Sequence, residues 1–307
     1  MATIIGVALP FFAILLCGML AARLRLLDDA GVIGLNAFVF WFALPALLFQ
    51  KVATTPFERL IDWTLYVGYA GSCLIAYGLV LAVARWILKR PLAEAAVCAF
   101  AVAWGNVGYL GVPLLIAAYG EDRALPSVMA VLPDNLILQS LTILLIERGG
   151  GGSRGGLGGL ARAIARNPLI LAVLAGVLVA WLRLELPAPV AGFLALLGPA
   201  AGPGALFALG ATLRGSALTR DMGLVASLTA AKLLLVPAIA WLVLQQLPVR
   251  PELVAPILVT TALPTAASVF VIAQRYGILE RMTAAVVFVS HLIGIVTLTV
   301  VLILLES

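Results

Sequence analysis

The stretch Trp104-Gly105-Asn106-Val107-Gly108-Tyr109-Leu110-Gly111-Val112-Pro113 interrupts an apolar run that is long enough to cross a membrane. Three glycines, one proline and one asparagine within these ten residues disfavour a continuous helix. An unpaired backbone N–H or C=O group in hydrocarbon is costly, so irregular backbone is found at this depth only where protein or a water-filled cavity covers it. The stretch therefore predicts a broken helix that forms a site inside the membrane.

The rest of the chain has the composition of a helical membrane protein. Its 307 residues are 64% hydrophobic and 11% charged, and the apolar residues form blocks of about 20, the length of helix that crosses a bilayer. The net charge of +5 comes from arginines between these blocks, where basic residues set membrane topology. We predict an all-α polytopic protein in a lipid bilayer, with no nucleic-acid partner.

Hydropathy and helix breakers predict ten transmembrane spans. They cover residues 4–22, 32–52, 63–88, 93–119, 124–146, 168–184, 188–213, 221–246, 252–274 and 282–305. The first block lacks the basic region of a signal peptide, which indicates a retained span. Basic residues number 13 in the odd-numbered connections and 5 in the even-numbered ones. The positive-inside rule therefore predicts both termini on the outer side and the central linker in the cytoplasm.

The two halves of the chain resemble one five-span unit used twice. The corresponding pairs are Arg90-Pro91 with Arg250-Pro251 before spans four and nine, and Tyr119-Gly120 with Tyr276-Gly277 after them. The prediction is a first repeat at 1–147, a Gly/Arg-rich linker at 148–166 and a second repeat at 167–307. An odd number of spans inverts the second repeat, and inverted repeats with broken helices indicate a secondary transporter. The second break lies at residues 262–268.

An ordered set of motifs resembles the auxin efflux carrier family, specifically its bacterial members. The motifs are residues 36–40 and 44–49 in span two, Gly105-Asn106 to Pro113 in span four, Arg166-Asn167-Pro168 opening span six, residues 208–211 in span seven, Lys232 to Pro237 in span eight and Pro264 to Gly277 in span nine. The fold implied is similar to that of bile-acid symporters and sodium/proton antiporters.

This resemblance implies a secondary active transporter of small organic anions, either mono- or dicarboxylates or auxin-like indole acids, in the bacterial cytoplasmic (inner) membrane. It also implies that spans four and nine are unwound and cross. Spans 1, 2, 6 and 7 would form a scaffold and spans 3–5 and 8–10 a transport domain, which would move by an elevator-type alternating-access mechanism.

Two crossed, broken helices would direct the N-terminal ends of half-helices at one point, where free N–H groups can bind a carboxylate. The predicted substrate-binding residues are Gly105, Asn106, Gly108, Tyr109, Gly111, Pro113, Pro264, Thr265, Ala266 and Ser268. In this interpretation Asn106 adds an amide donor and Thr265 and Ser268 add hydroxyls. The alternative is that these polar side chains only satisfy loose backbone groups at the breaks.

Ionisable residues inside the spans form a second group of candidates, because burying a charge in the membrane is expensive and usually serves function. Asp134 in span five is predicted to carry a coupling proton. The supporting candidates are Asn135, Gln139, Lys232 and His291. The coupling ion would be a proton or sodium. The alternative roles are a structural Asp134–Lys232 pair and a hydrogen-bonded core histidine.

Other classes of protein are less consistent with the sequence. A channel or an uncoupled uniporter is the main alternative, although a channel needs a continuous polar lining. An intramembrane enzyme would need a nucleophile–base pair or a metal cluster, and the chain has one histidine and three separated cysteines. We predict no enzyme activity, no cofactor and no metal. Proline and glycine in spans two and seven allow close helix packing and predict a homodimer there.

Overall fold

The computed structural model describes residues 2–120, 123–149, 165–212 and 221–306. Within these ranges the chain is helical and contains no strand longer than one isolated bridge. The first six helices are α1 (Ala2–Arg23), α2 (Asp29–Ala53), α3 (Phe57–Ile87), α4 (Leu92–Ala103), α5 (Val107–Tyr119) and α6 (Leu125–Arg148). The other six are α7 (Pro168–Trp181), α8 (Ala188–Thr212), α9 (Met222–Leu244), α10 (Pro251–Ala262), α11 (Ala267–Tyr276) and α12 (Glu280–Glu306).

Six of these helices are long and apolar enough to cross a membrane: α2, α3, α6, α8, α9 and α12. The all-helical polytopic class predicted from the sequence is therefore confirmed. Helical residues also lie in each of the ten predicted segments, and spans four and nine are each divided into two shorter helices. The ten-span count, the inverted repeat and the orientation of the termini stay predictions. Most of the predicted linker at 148–166 lies outside the described residues.

Several helices contain a wider turn of the π type, and four of these turns lie next to a proline. Three such turns, Val39–Ala43, Val107–Gly111 and Ala231–Leu235, each end two residues before a proline. Proline lacks an N–H group, and its ring crowds the carbonyl four residues earlier. A π turn relieves both problems, and such turns are frequent at functional sites. In α6 the order is reversed, with Pro133 followed by the π turn Asp134–Gln139.

The chain divides into two compact units by contact density. The first contains Met1–Trp63, Val107–Leu132 and Ala165–Gly215, and the second contains Thr64–Asn106, Pro133–Ile164 and Ser216–Ser307. In the first unit, α1 packs against α8, where Gly18 lies on the backbone of Phe207. In the second, α12 packs against α9, α10 and α11. The predicted division into scaffold and transport domain concerns movement and stays a prediction.

Candidate functional site

The two helix breaks of the second unit pair with each other through their backbones. Gly105 and Thr265 form an antiparallel bridge. The N–H of Asn106 donates to the carbonyl of Pro264 at 2.8 Å, and the N–H of Ala266 donates to the carbonyl of Trp104 at 3.2 Å. Each extended segment thus provides hydrogen-bond partners for backbone N–H and C=O groups of the other, which would otherwise be unpaired in the membrane. We call this paired region, Trp104–Asn106 with Pro264–Ala266, the crossing.

Gly105 is the residue that allows the two segments to approach. A Cβ at this position would lie 3.3 Å from the Nζ atom of Lys232, 3.4 Å from the Cβ of Leu263 and 3.5 Å from the carbonyl oxygen of Thr260. Any larger side chain would have to displace the lysine or separate the backbones. The glycine predicted from the sequence to open the helix is therefore also needed for packing at its centre.

Asn106 is held by a histidine from α12. Its Nδ2 atom lies 3.1 Å from Nε2 of His291, and Nδ1 of the same ring lies 2.8 Å from the carbonyl oxygen of Val287. Both side chains are buried, with 4% of Asn106 and 1% of His291 exposed. The sequence identified each residue separately, whereas the structure makes them direct partners.

Thr265 is fixed on both its backbone and its side chain. Its hydroxyl donates to the carbonyl of Ala101 at 2.8 Å, and its N–H donates to Oγ of Ser290 at 3.1 Å. The hydroxyl of Ser290 in turn donates to the carbonyl of Val287 at 3.1 Å. Two consecutive residues of α12, Ser290 and His291, therefore hold the two breaks, one each. Ser290 was not predicted as a site residue, and its position beside His291 was the only sequence signal for it.

The beginning of α11 supplies donors next to the crossing. The first N–H groups of a helix have no partner within the helix. The residue before α11, Ala266, provides no side-chain cap for them. Ala267 and Ser268 are half-buried, so their N–H groups and the Ser268 hydroxyl lie at a helix N-terminus that is not fully covered. Such an end carries partial positive charge and suits an anion.

Lys232 lies at the opposite, C-terminal ends of the broken helices. Its side chain is 1% exposed, and Nζ donates to the carbonyl of Thr261 at 3.2 Å. That carbonyl belongs to the last turn of α10, and Gly105 follows the last turn of α4 by two residues. Helix C-termini carry partial negative charge, which a cation stabilises. The lysine thus has a specific partner where the two helices stop.

Asp134 is bonded to α3 and not to the crossing. The Tyr69 hydroxyl lies 3.0 Å from each of its two carboxylate oxygens, and both side chains are buried. Among the described residues, no ion pair with an N···O distance within 4 Å joins Asp134 to Lys232. Tyr69 was not predicted from the sequence, because a tyrosine in an apolar span has no periodic or spacing signal of its own.

The remaining predicted residues occupy several environments. Asn135 is buried next to Asp134, and Gln139 is half-buried at the end of the same π turn. Gly108, Tyr109, Gly111 and Pro113 belong to α5 in the first unit; Tyr109 is half-buried and the other three are buried. The structure therefore brings Gly105, Asn106, Pro264, Thr265 and Ala266 together directly, with His291 and Lys232 in contact with them.

Known proteins are similar in sequence to this chain over nearly its full length. A family model described as "Membrane transport protein" matches residues 3–154 and 157–302. A protein of Rhizobium meliloti (strain 1021) named "Putative malonate transporter" is 35% identical over 315 residues, covering 100% of this chain and 97% of the relative. The "Uncharacterized transporter YfdV" of Escherichia coli (strain K12) is 28% identical over 309 residues, 95% of each chain.

A more distant similarity covers part of a larger protein. The "Lysosomal cholesterol signaling protein" of Mus musculus is 27% identical over 223 residues, which are 67% of this chain and 25% of that protein. These similarities extend over long alignments, so none of them by itself assigns a role to a residue.

Proposed function

The chain belongs to the membrane transport protein family, and from that premise we propose that it is a secondary active transporter of small organic anions. The family match confirms the resemblance to the auxin efflux carrier family. The chain is a multi-pass membrane protein of a transporter family, which is not a class of enzymes. Substrate, coupling and mechanism are the parts that we propose.

The observation that carries the proposal is the crossing. Unwound segments at the centre of two broken helices, next to a free helix N-terminus, are the arrangement with which transporters hold small anionic substrates. At this site, the N-terminal turn of α11 would contact a carboxylate and Asn106 would hydrogen-bond to the substrate. The space around the substrate would be shaped by Gly105, Pro264, Thr265, Ala266 and Ser268. We also propose Gly108, Tyr109, Gly111 and Pro113 as substrate-binding residues, because they belong to a motif that resembles the auxin efflux carrier family.

The relative named for malonate supports a short dicarboxylate as the first substrate to test. Its 35% identity extends over the whole chain, but side chains that contact a small molecule can differ between proteins of this similarity. Monocarboxylates and indole acids therefore remain in the proposed substrate class.

We propose that transport is linked to protons, with Asp134 as the group that carries the proton. An acid inside a span is a functional candidate because its charge is costly there, and Asp134 has a hydroxyl partner in Tyr69. Sodium is coordinated by carbonyl groups at half-helix ends in such transporters. Here the ammonium group of Lys232 donates a hydrogen bond to the carbonyl of Thr261, which disfavours sodium binding at this position. Asn135, Gln139, Lys232 and His291 are proposed to support this coupling.

The proposed mechanism is alternating access of the elevator type, which rests on the family resemblance. The ten spans would form two inverted repeats in the cytoplasmic membrane of a bacterium, with both termini outside and the linker inside. Aromatic residues of α2 and α8, such as Trp41 and Phe193, are more than half exposed and suit a homodimer through spans two and seven. Mass measurement in lipid nanodiscs would test the dimer.

A thermal-shift screen tests the substrate class. Purified protein is heated with malonate, with a monocarboxylate and, as the control of opposite charge, with an organic cation, each at two pH values. A ligand that binds the folded state raises the melting temperature in proportion to the logarithm of its concentration over Kd. We expect stabilisation by one or more acids. Stabilisation by the cation and by no acid would contradict the proposal.

A further inference from the structure

We infer that His291 fixes the orientation of the Asn106 amide. The crossing therefore recognises an organic acid that also carries a hydrogen-bond donor, such as a second carboxyl group in its protonated form. This inference rests on the proposed function, since it assumes that organic acids bind at the crossing. It assigns a specificity-determining role to the bond between the two side chains.

The hydrogen bonds of His291 determine its tautomer. The carbonyl oxygen of Val287 can only accept, so the ring nitrogen 2.8 Å away, Nδ1, must carry a hydrogen. In a neutral imidazole the other nitrogen is then an acceptor. Nε2 of His291 therefore accepts a hydrogen bond, and its partner at 3.1 Å must be a donor.

That requirement determines which way the carboxamide of Asn106 is oriented. A carboxamide has two N–H hydrogens on one atom and two acceptor lone pairs on the other. The nitrogen must face Nε2 of His291, because the oxygen there would place two acceptors in contact. One N–H is used in this way, so the side chain can offer its ligand only the second N–H and the oxygen. Among the described residues nothing donates to that oxygen.

An edge with one donor and one acceptor selects the protonation state of its ligand. A protonated carboxyl or a primary amide has the complementary edge, with one hydrogen and one acceptor side by side. An ionised carboxylate has only acceptors, so one of its oxygens would face the amide oxygen of Asn106. Leaving a buried polar group without a partner costs binding, and sites that hydrogen-bond a substrate reject analogues that cannot return the bond.

The substrate class that follows is a short organic acid in its monoanionic form. One carboxylate supplies the charge that the free helix N-terminus at Ala267 and Ser268 attracts. The second group is a protonated carboxyl, or another group with a hydrogen, that pairs with Asn106. A dicarboxylic acid bound in this form would bring one proton across the membrane on the substrate itself, in addition to any proton on Asp134.

Two probes of equal charge and similar size test the inference. The half-amide of malonic acid has a carboxylate and a primary amide, and the half-methyl-ester has a carboxylate and no donor. Their affinities for the purified protein in lipid nanodiscs are measured by isothermal titration at neutral pH. We expect the half-amide to bind at least about tenfold more tightly, because the ester leaves the amide oxygen of Asn106 unpaired.

Variants show whether His291 is the cause. In His291→Phe the amide of Asn106 is free to rotate, so the preference for the half-amide should fall to about twofold or less, with binding of the ester retained. Asn106→Ala should remove the preference by a second route if His291→Phe does not fold. Tyr77→Phe, which removes a buried hydrogen bond to Thr142 on another pair of helices, should keep it.

The outcomes separate this inference from the proposed function. Equal binding of the two probes by the wild type, or an unchanged preference in His291→Phe, would overturn the role of His291 while leaving an organic-acid transporter intact. No binding of malonate or of either probe would overturn the proposed function and this inference with it.

Discussion

His291 and Asp134 are both buried ionisable side chains on long helices that follow a broken helix, but the structure gives them different partners. His291 bonds to Asn106 inside the crossing, whereas Asp134 bonds to Tyr69 on α3. The first contact links a titratable ring to the segment that we propose binds substrate. The second links a carboxyl group to a side chain of α3 outside the crossing. The difference suggests that recognition and proton coupling are carried by separate groups of the same unit.

The largest expected effect comes from removing the proton carrier. Asp134→Asn should strongly reduce the stimulation of malonate uptake by a proton gradient, because the amide cannot exchange a proton and only a proton carried on the substrate remains, while binding of malonate at the crossing persists. Uptake into proteoliposomes with and without the gradient measures this. Tyr77→Phe serves as the control for a lost buried bond. Unchanged stimulation in a well-folded Asp134→Asn protein would assign the coupling to another group.

A second pair of variants tests the charge of Asp134. Tyr69 bonds to the carboxyl group of Asp134, and Tyr77, two helical turns along α3, bonds to the hydroxyl of Thr142 at 3.1 Å. Loss of a hydrogen bond to a charged group costs about 2–3 kcal/mol and loss of a neutral one about 1 kcal/mol. We therefore expect Tyr69→Phe to lower the free energy of unfolding more than Tyr77→Phe does. Equal losses would show that Asp134 is not ionised in the resting protein.

The glycines of the first break give a smaller, sterically defined effect. Gly105→Ala should destabilise the crossing by about 1–2 kcal/mol, because the added Cβ crowds Lys232 and the backbone of Thr260. Gly108→Ala is the matched control, since its nearest neighbour would be a Leu44 methyl at 4.0 Å. The melting temperatures of the two variants provide the comparison. Similar losses in both would show that helix breaking and not packing makes Gly105 necessary.

The smallest effect is expected from the Thr265 hydroxyl. Thr265→Val removes its 2.8 Å bond to the carbonyl of Ala101 and should cost about 1 kcal/mol, whereas Thr265→Ser keeps the hydroxyl. Chemical denaturation of the two variants measures the difference. If both are equally stable, the two breaks are held by their backbone pairing, by Ser290 and by His291, with no contribution from the Thr265 hydroxyl.

The positions of the breaks could be predicted from the sequence because glycine, proline and asparagine act locally. Three of the π turns could also have been predicted, since Pro45, Pro113 and Pro237 stand two residues after them. The two π turns within α3, Val67–Gly71 and Val83–Ile87, have no proline at that distance. Of these three prolines, only Pro113 was part of a predicted helix break. A proline inside a span changes the backbone of the turn before it, and that turn carries Lys232 in α9.

The partners of the buried side chains could not be predicted in the same way. Asn106 and His291 are 185 residues apart, and Tyr69 and Asp134 are 65 apart. In a span that is apolar on all sides, the helical pattern does not show which face a side chain points from. Only the packing of the helices decides those pairs. The sequence therefore identified Asn106, His291 and Asp134 as candidates but neither Tyr69 nor any of the bonds.

Binding of malonate to Asn106→Ala tests the central claim, that the crossing binds the organic acid. Isothermal titration compares this variant with the wild type and with Asn36→Ala, which loses an amide bonded to Val32 and Thr212 in the first unit. We expect at least about a tenfold loss of affinity in Asn106→Ala, from the lost hydrogen bonds, and wild-type affinity in Asn36→Ala. Wild-type affinity in a folded Asn106→Ala protein would contradict the account and place the site elsewhere.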